Sequence, residues 1–214
     1  MKLKTFLSVM IICAVVISCS DDNDPKPFSI SFNPEVYDAV FYTSGETMPA
    51  TGPLDGSVEV SLQPGASPEF SYNTASHTVQ WTKLLPLGEN TVTVVAKRGQ
   101  EEATATLTIN NIFQGYFSGY YQLNGSPIQH AYTLQFNSDG TVGVQDVDNG
   151  YEGSGTWQRD GDTITASYVI GNFGAILNIA GVLHYNTTEA YVEGLYYLDN
   201  GDTIPDGIFR VDIQ

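Results

Sequence analysis

The sequence predicts an all-β protein: a β-sandwich over residues 28–110, then an eight-stranded antiparallel up-and-down β-barrel over 111–214. Three observations predict it. Apolar and polar residues alternate with period two in short runs, as strands with one buried face require. The runs are bounded by turn residues, among them Asp139-Gly140, Asn149-Gly150, Asp160-Gly161 and Asn200-Gly201, pairs that supply the positive φ of tight hairpins. From Ile112 onward no stretch carries helical periodicity, and the whole chain is rich in Tyr, Thr, Val and Gly.

Residues 1–18 read as an export leader. Lys2 and Lys4 precede an apolar run from Phe6 to Ile17, which is shorter than the roughly 20 residues of a membrane span. The end of the leader, Val16-Ile17-Ser18-Cys19, resembles the lipobox of bacterial lipoproteins. The resemblance implies that Cys19 is acylated and becomes the first residue of the mature chain. Residues 19–27 form an acidic tether. Ser20-Asp21-Asp22-Asn23-Asp24 looks like the surface-export signal of Bacteroidetes lipoproteins, which implies an outer-membrane, lipid-anchored protein displayed on the cell surface. Pro25-Lys26-Pro27 reads as a stiff spacer.

Residues 28–110 contain seven alternating runs, near 28–33, 36–42, 57–62, 69–73, 77–83, 91–97 and 102–109. Seven short strands in so little chain predict a sandwich, with Trp81 filling the space between its sheets. Leu87 to Ala96 resembles the last hairpin of bacterial Ig-like surface modules. Asn110-Asn111 breaks the alternation and is the expected domain boundary, with a linker short enough to hold the two units close.

Eight runs follow, near 115–123, 131–137, 141–147, 153–159, 162–170, 174–185, 189–198 and 207–213. Hairpin-linked antiparallel strands remove their edges by closing into a barrel. Gly119-Tyr120-Tyr121, Phe136 to Thr141, Gly155-Thr156-Trp157 and Gly161 to Ile164 together resemble lipocalin-like domains of Bacteroidetes lipoproteins. The Gly-X-Trp of true lipocalins and their C-terminal helix are missing here.

Alternation sorts the barrel's faces. Phe117, Gly119, Tyr121 and Leu123 share one face of the first strand. Leu134 with Phe136, Gly155 with Trp157, Ile164 with Ala166 and Tyr168, Val192 with Gly194, Tyr196 and Leu198, and Phe209 with Val211 are expected to join them inside. An eight-stranded barrel is either packed solid or holds one small ligand. In the second case Tyr121, Phe136, Trp157, Tyr168 and Tyr196 are the candidate ligand-binding residues. Gly119, Gly155 and Gly194 would then leave room beside flat rings. Tyr116, Tyr120, Tyr191 and Tyr197 fall on the outer face, where a phenol is a contact group for sugars or partner proteins.

Charge and chemistry exclude much. Asp plus Glu number 24 against 8 Lys plus Arg, and Lys2 and Lys4 leave with the leader. Nucleic-acid binding needs the opposite balance. The two cysteines, Cys13 and Cys19, both lie at or before the lipidation point, so the folded part has no disulfide and no thiol chemistry. His77, His130 and His184 lack metal-ligand spacing. Asp146 to Glu152 has part of a calcium-loop pattern, with its glycine misplaced and no flanking helix. Gly153-Ser154-Gly155 is not a nucleophile elbow, and nothing selects a carboxylate pair. The expectation is a non-catalytic binding module that takes a glycan, a small apolar ligand or a partner protein and uses no cofactor. The alternatives are a structural accessory subunit of an envelope complex and an inhibitor or immunity-type barrel.

Overall fold

A computed structural model describes residues 28–171, 174–198 and 204–214. The leader, Cys19 with its tether, and the acidic turn from Asp199 to Asp202 lie outside the described residues. The protein is all-β, with two sheets followed by a closed barrel.

The first sheet contains β1 (Val36–Val40), β3 (Glu59–Leu62), β6 (Gly88–Arg98) and β7 (Glu101–Ile112), in the order β1-β7-β6-β3. The second contains β2 (Gly45–Glu46), β4 (Phe70–Asn73) and β5 (Thr78–Trp81), in the order β2-β5-β4. β1 runs parallel to β7 and the other pairs are antiparallel. Inward side chains from both sheets, among them Phe70, Val79, Trp81, Val92, Val94, Leu107 and Ile109, form one core. Trp81 is buried there, against Gly45, where the ring leaves no room for a Cβ.

Three places in this half differ from what alternation predicts. Residues 28–33 alternate, and Ile30 and Phe32 are buried, yet only Ser31 pairs, in a single bridge to Thr51. The alternation there records one-sided burial without a ladder. β2 is two residues long and has no period to detect. The strand expected to break at Asn110-Asn111 instead continues through both, because each is paired to β6 and to β1. The buried Asn111 amide donates to the Leu85 carbonyl.

The barrel is built from β8 (Gly115–Leu123), β9 (Gln129–Phe136), β10 (Thr141–Asp146), β11 (Tyr151–Asp160), β12 (Thr163–Ile170), β13 (Ala175–Tyr185), β14 (Ala190–Leu198) and β15 (Gly207–Ile213). Each strand pairs antiparallel with the next, and β15 returns to β8. Every strand edge is therefore used. Gly140 and Gly161 take φ of 83° and 58° in their hairpins, as their Asp-Gly pairs predict.

Phe113 and Gln114 alone separate β7 from β8, so the barrel has a near end, beside the sheets, and a far end. At the near end Phe113 packs on Phe117, Phe136 and Trp157, with ring centroids 5.1–5.6 Å apart. Phe41, just past β1, reaches the same cluster and meets Phe113 at 5.4 Å and Tyr185 at 5.3 Å. Tyr42 follows it with φ of 59°, unusual for a residue with a Cβ. Its hydroxyl donates to the Asn186 carbonyl at 2.9 Å and accepts from Lys83 Nζ at 3.0 Å. Side chains from the segments that follow β1 and β7 thus cover one end of the barrel.

Candidate functional site

The inward positions follow the predicted alternation. Phe117, Tyr121, Leu134, Phe136, Ile164, Ala166, Tyr168, Val192, Tyr196, Phe209 and Val211 are buried in one cluster, with Trp157 half-buried against it. Leu123 and Leu198 depart from the expectation and are exposed at 36% and 39%, because they stand on the rim of the far end.

The five candidate ligand-binding residues divide between the two ends. Phe136 and Trp157 belong to the near-end aromatic cluster, where Trp157 Nε1 donates to the Asn137 carbonyl at 2.8 Å. Tyr121, Tyr168 and Tyr196 lie toward the far end. Tyr121 stacks on Tyr196, with centroids 5.1 Å apart and planes 9° apart, and on His130 from its other side at 4.9 Å. Tyr132 joins this group, and its hydroxyl bonds that of Tyr168. Tyr121 donates to Asp146 Oδ2 at 3.0 Å. Asp146 also accepts from the backbone N–H and side-chain amide of Asn149, at 3.1 and 2.9 Å. Asp146 and Tyr132 are interior groups that the sequence reading missed, although both sit at even steps from Leu134 and Val144.

The electrostatics of this group are those of a structural network. Burial pushes the phenols of Tyr121, Tyr132 and Tyr168 well above the ordinary value of 10, and the Asp146 carboxylate adds to the rise at Tyr121. Burial, with Asp146 and Asp206 nearby, pushes Tyr196 up to about 12. Neutral phenols are neither nucleophiles nor bases near neutral pH. Two carboxylates of the suspected calcium loop are engaged by donors: Asp146 as above, and Asp148 by the Ala131 N–H at 2.8 Å. Among the described residues no group of three or more His, Cys, Asp or Glu side chains is placed to hold a metal ion.

The glycines beside these aromatics do not leave gaps. A Cβ at Gly119 would overlap the Arg210 carbonyl, one at Gly155 the Ser167 carbonyl, and one at Gly194 the Ala180 carbonyl. A Cβ at Gly181 would stand 2.8 Å from Phe209 Cζ. Glycine is required here because the neighbouring backbone presses against the strand, as at the tight bends of small barrels. The expected room beside the rings is filled by main chain.

The bends shape the outer wall. Across β11, β12, β13 and β14 the register sets Thr156, Ser167, Asn178 and Tyr197 in one straight row. Gln158, Thr165, Ala180 and Leu195 form the adjacent row. The first row, with Gln158, Thr165 and Ala180 of the second, lines a shallow concavity of about 470 Å³ that also includes Trp157, Ala166 and Ile179. A smaller concavity of about 220 Å³ lies across β8 to β11 and includes the Glu152 carboxylate. Of the outer tyrosines, Tyr197 lines the first, Tyr116 lines the second, and Tyr191 stacks under the Arg210 guanidinium at 3.7 Å.

No family model matches the sequence, and no curated protein matches it.

Proposed function

We propose that the protein is a cell-envelope lipoprotein, anchored in the outer membrane through acylated Cys19 and displayed on the cell surface, that acts as a non-catalytic binding module. The observation that carries the binding reading is the contrast between the two faces of the barrel. Inside, aromatic and polar groups bond one another: Tyr121 to Asp146, Tyr132 to Tyr168, Trp157 to Asn137. Outside, the two rows across β11 to β14 present polar side chains that engage no other protein group among the described residues. The packed interior weighs against a small apolar ligand there and moves the working surface to the wall.

Cys19→Ser tests the anchor. The wild-type protein should fractionate with outer membrane and be removed by protease added to intact cells. The variant should appear in the soluble fraction. Unchanged membrane partitioning of the variant, or protection of the wild type from protease, would overturn the reading.

One observation favours a second reading, an accessory subunit docked on a larger envelope complex. Leu195 and Ile208 are cross-strand partners on the outer wall, 40% and 46% exposed, with Val182 nearby at 45%. Apolar pairs left open to water on a sheet suit a protein contact.

A further inference from the structure

The concavity on β11 to β14 differs in chemistry from the rest of the molecule. The chain carries a formal charge of −16, yet neither row across the groove contains a carboxylate, ammonium, guanidinium or imidazole group. On one side the flanking row contains Asp160, Glu193 and Arg210, and on the other Ser154 pairs with exposed Val169, which pairs with exposed Ile176.

The groove offers hydroxyls from Thr156, Thr165 and Ser167, amides from Gln158 and Asn178, and the phenol of Tyr197. None of these six side chains hydrogen-bonds another protein group among the described residues. Elsewhere such residues are often engaged internally: Thr93 bonds Thr106 at 3.0 Å, and Thr141 bonds Asp139 at 2.6 Å. Hydroxyls and amides both donate and accept, so the groove matches a ligand that does the same at many points. Four strands about 4.8 Å apart make it roughly 14 Å across, which suits an extended ligand. A flat ring at one end, uncharged polar side chains along the rows and apolar Ala180 between them make a composition that recognises a pyranose, whose apolar face stacks and whose hydroxyls bond.

We infer that this groove binds a neutral oligosaccharide, laid across the strands along the two rows, with Tyr197 stacking on one ring and Asn178, Gln158 and the hydroxyls bonding its neighbours. The inference rests on the binding-module reading and names its ligand class. A polyanion is disfavoured by the acidic chain, and a protein partner that fixes its register through complementary charges finds none in the groove. The groove lies on four consecutive hydrogen-bonded strands, so its polar side chains are held in register by the ladders of the barrel.

The test titrates the purified full-length protein in detergent with four soluble neutral polysaccharides (dextran, laminarin, amylopectin and galactomannan) and with polygalacturonate, by calorimetry. At least one neutral polymer should bind and polygalacturonate should not. Tyr197→Ala and Asn178→Ala should each weaken binding by roughly tenfold, the scale of one good stacking or bonding group. Tyr116→Ala, on the other side of the barrel, should bind as wild type. Because the substituted residues face outward, thermal unfolding should be unchanged, and a variant with a lowered melting point is replaced by Asn178→Asp, which places a charge in the groove. Binding of none of the neutral polymers overturns the assignment, as does equal binding by polygalacturonate or by the groove variants. Anchoring and surface exposure are read separately by fractionation and protease, so such a failure removes the ligand class and leaves the lipoprotein reading to its own test.

Discussion

The hydroxyls of Tyr132 and Tyr168 hydrogen-bond each other inside the barrel, with both rings almost fully buried. They stand on β9 and β12, strands that share no ladder. The pair therefore ties opposite parts of the wall through the core, and it does so with two groups that water cannot reach.

A single Tyr132→Phe or Tyr168→Phe leaves the remaining hydroxyl buried without its partner, at a cost of about 1–3 kcal/mol. The double variant removes both polar groups and should return most of that loss. Chemical denaturation of the four proteins forms the cycle. Additive losses in the double variant would show that the hydroxyls have other partners.

The four interior phenols predict alkaline behaviour. Their folded values lie above the ordinary 10, so the folded state holds these protons where the unfolded state releases them. Their contribution to stability is fully present below pH 10 and is lost as pH rises through the folded values, starting with Tyr196 near 12. In an alkaline titration the tyrosinate absorbance should rise first for exposed tyrosines among the 13. A second rise should coincide with loss of the β circular dichroism signal. One smooth rise with the fold intact would contradict the buried network.

Phe113→Ala removes the ring that joins the sheets to the barrel. As a buried aromatic truncation it should cost about 3–5 kcal/mol. Phe41→Ala removes the second plug and touches Phe113 directly, so the two losses should not add. Strict additivity in denaturation would mean that the two rings act on separate structures.

Gly155→Ala and Gly194→Ala should destabilise by more than an ordinary strand substitution, because the new methyl meets a carbonyl oxygen of the neighbouring strand. Overpacking of this kind typically costs about 1–3 kcal/mol. Gly143→Ala is the control: its Cβ would meet only Gln135 Cβ, at 3.7 Å, and should be tolerated. Equal melting temperatures for all three would refute the close approach.

The barrel was legible in the sequence because alternation and Asp-Gly turns are local, and each is fixed by one strand or one hairpin. That is why alternation alone assigns Phe117, Ile164, Tyr168 and Val211 to the interior, where they are buried. The role of the glycines is not legible, for the opposite reason. Gly155 looks the same whether it faces empty space or the Ser167 carbonyl, and only the path of β12 decides. Asn110-Asn111 breaks the alternation of apolar and polar residues, but pairing on both sides of β7 carries the strand through it. The two outer rows were invisible for a similar reason. Thr156, Ser167, Asn178 and Tyr197 come from four separate runs, and only the register of three ladders aligns them.

The return of β15 to β8 has an evolutionary consequence. A sheet with edges must devote part of its surface to blocking unwanted pairing, whereas this wall has none to defend. Its outward positions carry no duty to the core, and substitutions there can accumulate by drift without loss of the fold. The inward residues hold the shape while the outward ones vary, so descendants of one barrel can acquire different specificities at little risk to their ability to fold.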